Sequence, residues 1–262
     1  MLNGYKFVVI ESPYDHYEDC PSIRNFMGRL FQLKLAGYKS HYSYGIMPVS
    51  NVDFFANHIT FCKVTLDGLV PLGAFKSISV SRCMSVGIDF PLYEHVLGDK
   101  TSVRQKLAAK AWVNRKTQEH QEVAYNASWT MCPSLRHDDE QRRIVRDASV
   151  AMLHLYYKSY PIDWVIAAAS KKYKVHQLKE NLGFNYLVDE NGVVPDFEIS
   201  AFDDEPFYMM TLDTEEAQPP AIEHYAEYAE LWEQRMTIES VHINEDSFSR
   251  LVSAEVPETE SV

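Results

Sequence analysis

The chain has 262 residues with ordinary globular usage, 46% hydrophobic and 24% charged, enough to bury a sizeable core in one large domain without staples. Its net charge of −12 is concentrated at one end: 16 of the 37 acidic residues but only 2 of the 25 basic ones follow residue 200. The rest is nearly neutral and has no Lys/Arg cluster of the kind nucleic acid requires, so no nucleic-acid partner is expected and the tail reads as a solvated acidic face.

The start, Met1 to Ile10, is an apolar strand-like run without the basic flank, long apolar centre and small-residue site of a secretory signal. No stretch approaches the ~18 apolar residues of a membrane span. The four cysteines, Cys20, Cys62, Cys83 and Cys132, form no CxxC pair. A soluble, cytoplasmic protein with reduced thiols is expected.

Residues 22–39 predict a helix with Ile23, Phe26, Met27, Leu30, Phe31 and Leu33 on its apolar face, Ser22 as cap and Gly37 as stop. Residues 58–66 alternate as a strand, Asp67-Gly68 supplies a hairpin turn, and a second strand runs from about Val70 to Val80. A helical stretch over 101–120 centres on Leu107, Ala111 and Trp112. The strand that follows alternates Val123, Tyr125, Ala127, Trp129 and Met131 with small and polar residues, and Pro133 ends it.

The strongest helix spans Asp139 to Tyr160, opened by Asp138 and Gln141 in capping-box spacing. Trp164 to Ala169 is short, apolar and without alternation, as in a strand buried on both faces. A helix over 172–182 stops at Gly183, strands near 184–188 and 205–212 pair, and a last helix carries Ile222, Tyr225, Ala229, Trp232 and Met236 at spacings of three and four. Residues beyond about Arg250 read as disordered. The order of elements predicts an α/β (α+β) domain, a mixed sheet with helices on both faces.

This order resembles the GNAT acyltransferase superfamily, most specifically over Glu122–Phe184. The ending Leu178-Lys179-Glu180-Asn181-Leu182-Gly183-Phe184 is similar to the family's Leu-Tyr-x-x-Leu-Gly-Phe, with Lys179 in place of Tyr. Arg143-Ile144-Val145-Arg146-Asp147-Ala148 resembles the pyrophosphate motif Arg/Gln-x-x-Gly-x-Gly/Ala, with Arg146 in place of the middle glycine. A narrower similarity is to the acyl-homoserine-lactone synthases and long-chain N-acyl amino acid synthases. It rests on Asp53 ahead of the hairpin, on Gly73-Ala74-Phe75-Lys76-Ser77 with Lys for Arg, and on Asn126-Ala127-Ser128-Trp129, which keeps the Ser but neither charge.

The resemblance covers roughly residues 22–190 and implies a mostly antiparallel twisted sheet in a domain taken as 1–212; outside it, 213–262 reads as an acidic extension with one amphipathic helix and a disordered end. It implies an acyl-CoA or acyl carrier protein donor and a small-molecule amine acceptor. Thr130, Met131, Cys132, Arg142, Arg143, Arg146 and Asp147 would hold the donor, and Asp53 and Lys76 would contact the acceptor. Glu122 and His120 are candidate bases, Asn126 in the later-strand motif is a candidate catalytic residue, and Tyr173 and Tyr186 are candidate proton donors to the leaving thiolate. Cys132 has no His or Asp motif beside it and reads as a small packed thiol. No His spacing suits a metal, so none is expected, and there is no Walker, GxGxxG or GxSxG motif. The departures at Lys179, Arg146 and Trp129 leave a second expectation open, a GNAT-like binding or regulatory protein without turnover.

Overall fold

A computed structural model describes residues 2–42, 49–93, 103–189, 191–192, 196–198 and 205–239. The strands are β1 (Tyr5–Ile10), β2 (Asn57–Thr65), β3 (Gly68–Ser79), β4 (Val123–Met131), β5 (Trp164–Ser170), β6 (Asn185–Tyr186), β7 (Asp196–Glu198), β8 (Pro206–Asp213) and β9 (Met236–Ile238). All nine join one sheet in the order β6-β8-β5-β4-β3-β2-β1-β9, with β7 also on β8. Among the described residues only β4–β5 and β1–β9 are parallel. The helices are α1 (Pro21–Lys39), α2 (Val52–Phe55), α3 (Val80–Val86), α4 (Val103–Gln118), α5 (Asp139–Ser159), α6 (Val175–Glu180) and α7 (Tyr225–Glu233). This is the mixed, mostly antiparallel α/β architecture read from the element order. No helix among the described residues is long and apolar enough to cross a membrane.

Alternation within each strand divides the core between two faces. Phe7 and Val9 pack with α5 and α7 on one face, whereas Val8 and Ile10 pack with α1 on the other. Tyr125 and Ile166 face α4, on the α1 side. With both faces covered, β1 and β5 have little room for polar residues.

Several local expectations are corrected. Cys20, not Ser22, precedes the first turn of α1, because Pro21 takes the first helical position, where its missing N–H costs nothing. Gly37 does not stop α1. It is buried inside the helix, where a Cβ would collide with Thr130 Oγ1, so the absent side chain lets α1 close on β4. In α4 the buried face is Ala109, Trp112 and Val113. Leu107 is 62% exposed, because Trp112 turns the helix to meet Trp164 edge-on at 5.6 Å. The second hairpin strand ends at Ser79, whose Oγ accepts from Arg82 N and starts α3. The 172–182 helix shortens to α6. Met236 lies in β9 rather than in the last helix, and the tail expected to be disordered lies outside the described residues.

Two expected caps are present. Asp138 accepts from Gln141 N at 2.9 Å to open α5. At the end of α6, Gly183 takes φ +93°, Phe184 N–H donates to Lys179 O at 3.1 Å and Gly183 N–H to Glu180 O at 3.0 Å, a Schellman ending.

Candidate functional site

The sheet opens between β4 and β5. They pair in parallel from Val123↔Trp164 only as far as Asn126↔Ala167. Beyond that point β4 stays with β3, through Ala74↔Thr130 and Gly73↔Met131, while β5 stays with β8, through Ala168↔Met209 to Ser170↔Phe207. The cause is a bulge. Between the pairs Lys76↔Ala127 and Ala74↔Thr130, β4 carries one more residue than β3, and Ser128 adopts φ +55° to absorb it. A bulge increases local twist and bends its strand, here away from β5. The result is a fork whose one arm is β4 from Ala127 to Met131 and whose other is the end of β5.

Asn126 stands at the crotch of this fork, 4% exposed. Its Oδ1 accepts from Lys179 Nζ at 3.0 Å. Lys179 is 1% exposed, and its Nζ lies 4.5 Å from the centroid of Phe184 and 5.9 Å from that of Trp129. The Schellman ending of α6 places the Phe184 ring there, since it folds Phe184 back over the turn that carries Lys179. Burial drives the Lys179 amine down to about 7. Tyr157 of α5 lies behind Asn126, donating to Ser77 Oγ at 3.1 Å.

On the opposite face the structure brings Asp53 and Lys76 together and adds Lys34. Asp53 Oδ1 accepts from Lys34 Nζ at 2.5 Å and Oδ2 from Lys76 Nζ at 2.7 Å, while Ser50 N–H also donates to Oδ2. Burial alone would raise the Asp53 carboxyl, but the Lys34 and Lys76 ammoniums override it and hold the group well below the carboxylate range. Burial takes Lys34 down to about 8 against the pull of Asp53, and the Lys76 charge adds to the lowering. His58, opposite Lys76 across the hairpin, donates from Nε2–H to Asp53 O, and burial lowers it to about 3, so it stays neutral.

The other predicted residues spread around the fork. Thr130 faces Gly37 of α1, and Met131 packs at the edge of the α5 core. Cys132 N–H donates to Leu72 O at 2.8 Å, and its Sγ sits 3.1 Å from Ser134 Oγ, where the chain turns toward α5. At the start of α5 each arginine meets a carboxylate: Arg142 with Asp139 at 2.7 Å, Arg143 with Glu223 at 2.8 Å, and Arg146 with the buried Asp147 at 2.9 Å. Tyr173 lies just past β5, its OH donating to His41 O at 3.3 Å. Tyr186 of β6 lies against Tyr208 of β8. Glu122 is not in the fork. It lies at the other end of β4, accepting from Ser81 N at 3.1 Å, in a cavity of about 420 Å³ with Glu11, Arg82 and Tyr160.

Lys34 and Lys179 are the residues that sequence reasoning missed as site members. Each carried a signal: Lys34 lies on the buried stripe between Leu30 and Gly37, and Lys179 stands at helical spacing between Val175 and Leu182. Among the described residues, no three His, Cys, Asp or Glu are grouped to hold a metal ion.

No family model and no curated protein matches the sequence. Solved structures do. One is FeeM, an N-acyl amino acid synthase from uncultured soil microbes, at 15% identity and TM-score 0.47, covering 75% of this chain and 88% of that one. Another is BjaI, a CoA-dependent acyl-homoserine lactone synthase, at 11% identity and TM-score 0.49, covering 95% and 99%. A third is Escherichia coli ElaA, at 12% identity and TM-score 0.43, covering 80% and 99%.

Proposed function

We propose that this chain is an N-acyltransferase that seats an acyl thioester, from acyl-CoA or an acylated carrier protein, in the β4–β5 fork and passes the acyl group to a small-molecule amine. The observation that carries this reading is the end of β4–β5 pairing at Asn126↔Ala167. An unpaired strand edge offers amide groups to an extended, amide-bearing arm, much as a sheet accepts an added strand. Backbone N–H groups along that edge can also stabilise the charge that develops on a thioester oxygen. The start of α5, a 21-residue helix, favours an anion, and Arg142, Arg143 and Arg146 can exchange their carboxylates for phosphate. The transferase body on this reading is residues 1–212, with 213–262 as an acidic extension that braces it through α7 and β9.

Calorimetric titration of the full chain with CoA, with acyl-CoAs and with acylated carrier protein tests the reading. Binding of at least one donor, followed by thiol release in the presence of an amine, is the expected result. No binding by any of the three ends it. One observation favours a second reading, a binding or regulatory protein without turnover: each of the three arginines is already engaged by a carboxylate. Donor binding without thiol release over a broad amine panel would select that reading.

A further inference from the structure

We infer that Lys179 is the proton carrier of the fork: its Nζ takes the proton from the attacking nitrogen and delivers it to the departing sulfur. This rests on the acyl-transfer reading. In the step, the amine nitrogen bonds the thioester carbon, the carbon–sulfur bond breaks with its electron pair going to sulfur, and one N–H proton moves to sulfur by way of Lys179. The products are an amide and a free thiol, with no further reactant needed.

Three features of the geometry support it. The amine stands at the crotch, bonded to the last residue that joins β4 to β5 and next to Trp129, the residue after the bulge. It is 1% exposed, yet no described carboxylate pairs with it, whereas the other two buried lysines, Lys34 and Lys76, share Asp53. The groups that face it are Asn126 and Trp129 from β4 and Phe184 ahead of β6, none of which titrates in water, with Tyr157 of α5 behind Asn126, and burial is what lowers the amine. The Asn126 oxygen and the two rings accommodate the ammonium, while burial favours the amine, so both forms are accessible near neutrality.

The rival acid–base candidates are less well placed. Glu122 lies four residues back along β4, roughly 13 Å from Asn126 at strand rise. Tyr173 is engaged with His41 O at the rim. Asn126 acts through Lys179 and is a positioning residue, its Oδ1 holding the amine at 3.0 Å.

The test compares the full-length wild type with Lys179→Met, Lys179→Arg and Asn126→Ala, following thiol release from acyl-CoA across pH with a panel of amines, and donor affinity by calorimetry. Wild-type kcat is expected to rise with pH along a single limb near neutrality and then level off. Lys179→Met fills the same space and is expected to lose that limb and about 10²-fold in kcat, with donor affinity within about threefold of wild type. Lys179→Arg, charged at every pH, is expected to fail equally. Asn126→Ala is expected to move the limb rather than abolish it. Retention of limb and rate by Lys179→Met overturns the inference while leaving the transferase reading intact. A wild type that binds no donor, or binds one and releases no thiol, overturns both.

Discussion

The two faces of the sheet handle buried lysine in opposite ways. On the α1 face two ammoniums close on one carboxylate, and Asp53 also accepts from Ser50 N, so every charge in the cluster has a partner. On the α5 face Lys179 has a neutral amide oxygen and two aromatic rings. The first arrangement holds charge in place and joins α1, α2 and β3. The second holds an amine whose charge is conditional. A paired buried cation serves architecture, and an unpaired one at a cleft is available for chemistry.

The sharpest way to break this contrast is Asp53→Asn. It leaves two buried ammoniums without a carboxylate and is expected to cost about 3–5 kcal/mol in urea denaturation. A variant as stable as wild type would show that the cluster holds nothing. Next is Lys179→Met, which removes a buried cation and is expected to stabilise the fold by about 1–4 kcal/mol below neutral pH. Its pH dependence follows from linkage. The folded Lys179 titrates near 7 and the unfolded one near 10.5, so between these values the unfolded chain binds one more proton and wild-type stability rises with pH. That rise is expected to vanish between about 7 and 8 in Lys179→Met, and above about 8 to keep only the share that Lys34 carries. A rise that persists between about 7 and 8 would assign it to another group. The smallest effect is expected from Asn126→Ala, about 1 kcal/mol, together with a further fall in the Lys179 pKa measured by NMR titration.

Much of the fold was legible because its punctuation is chemical. Asp67-Gly68 turns the hairpin, Asp138 caps α5, and Gly183 ends α6, each by a backbone rule that acts within a few residues. The unalternating run Trp164–Ala169 announced a strand covered on both sides. What escaped depended on distant partners. Gly37 reads locally as a helix stop, and only its approach to Thr130 explains why it lies inside α1. Met236 continues the stripe of α7 in sequence but pairs with Val8 in space. Asp53 and Lys76 were legible as a pair of motif positions, but Lys34, which completes their cluster, is visible only as a charge on an apolar stripe. Lys179 reads in sequence as a substitution, and its lack of a carboxylate partner among the described residues needed three dimensions to appear.

The short parallel pairing of β9 along β1 has a practical consequence. Val8, Val9 and Ile10 would otherwise present a hydrophobic outermost strand with open hydrogen-bonding groups, and Trp232 packs behind it, edge-on to Phe7. A shortened version ending before Tyr225 would uncover that ribbon and invite a neighbouring molecule to dock there. Anyone trimming the acidic end to aid crystallisation should therefore cut after Ile238, or expect aggregates on gel filtration.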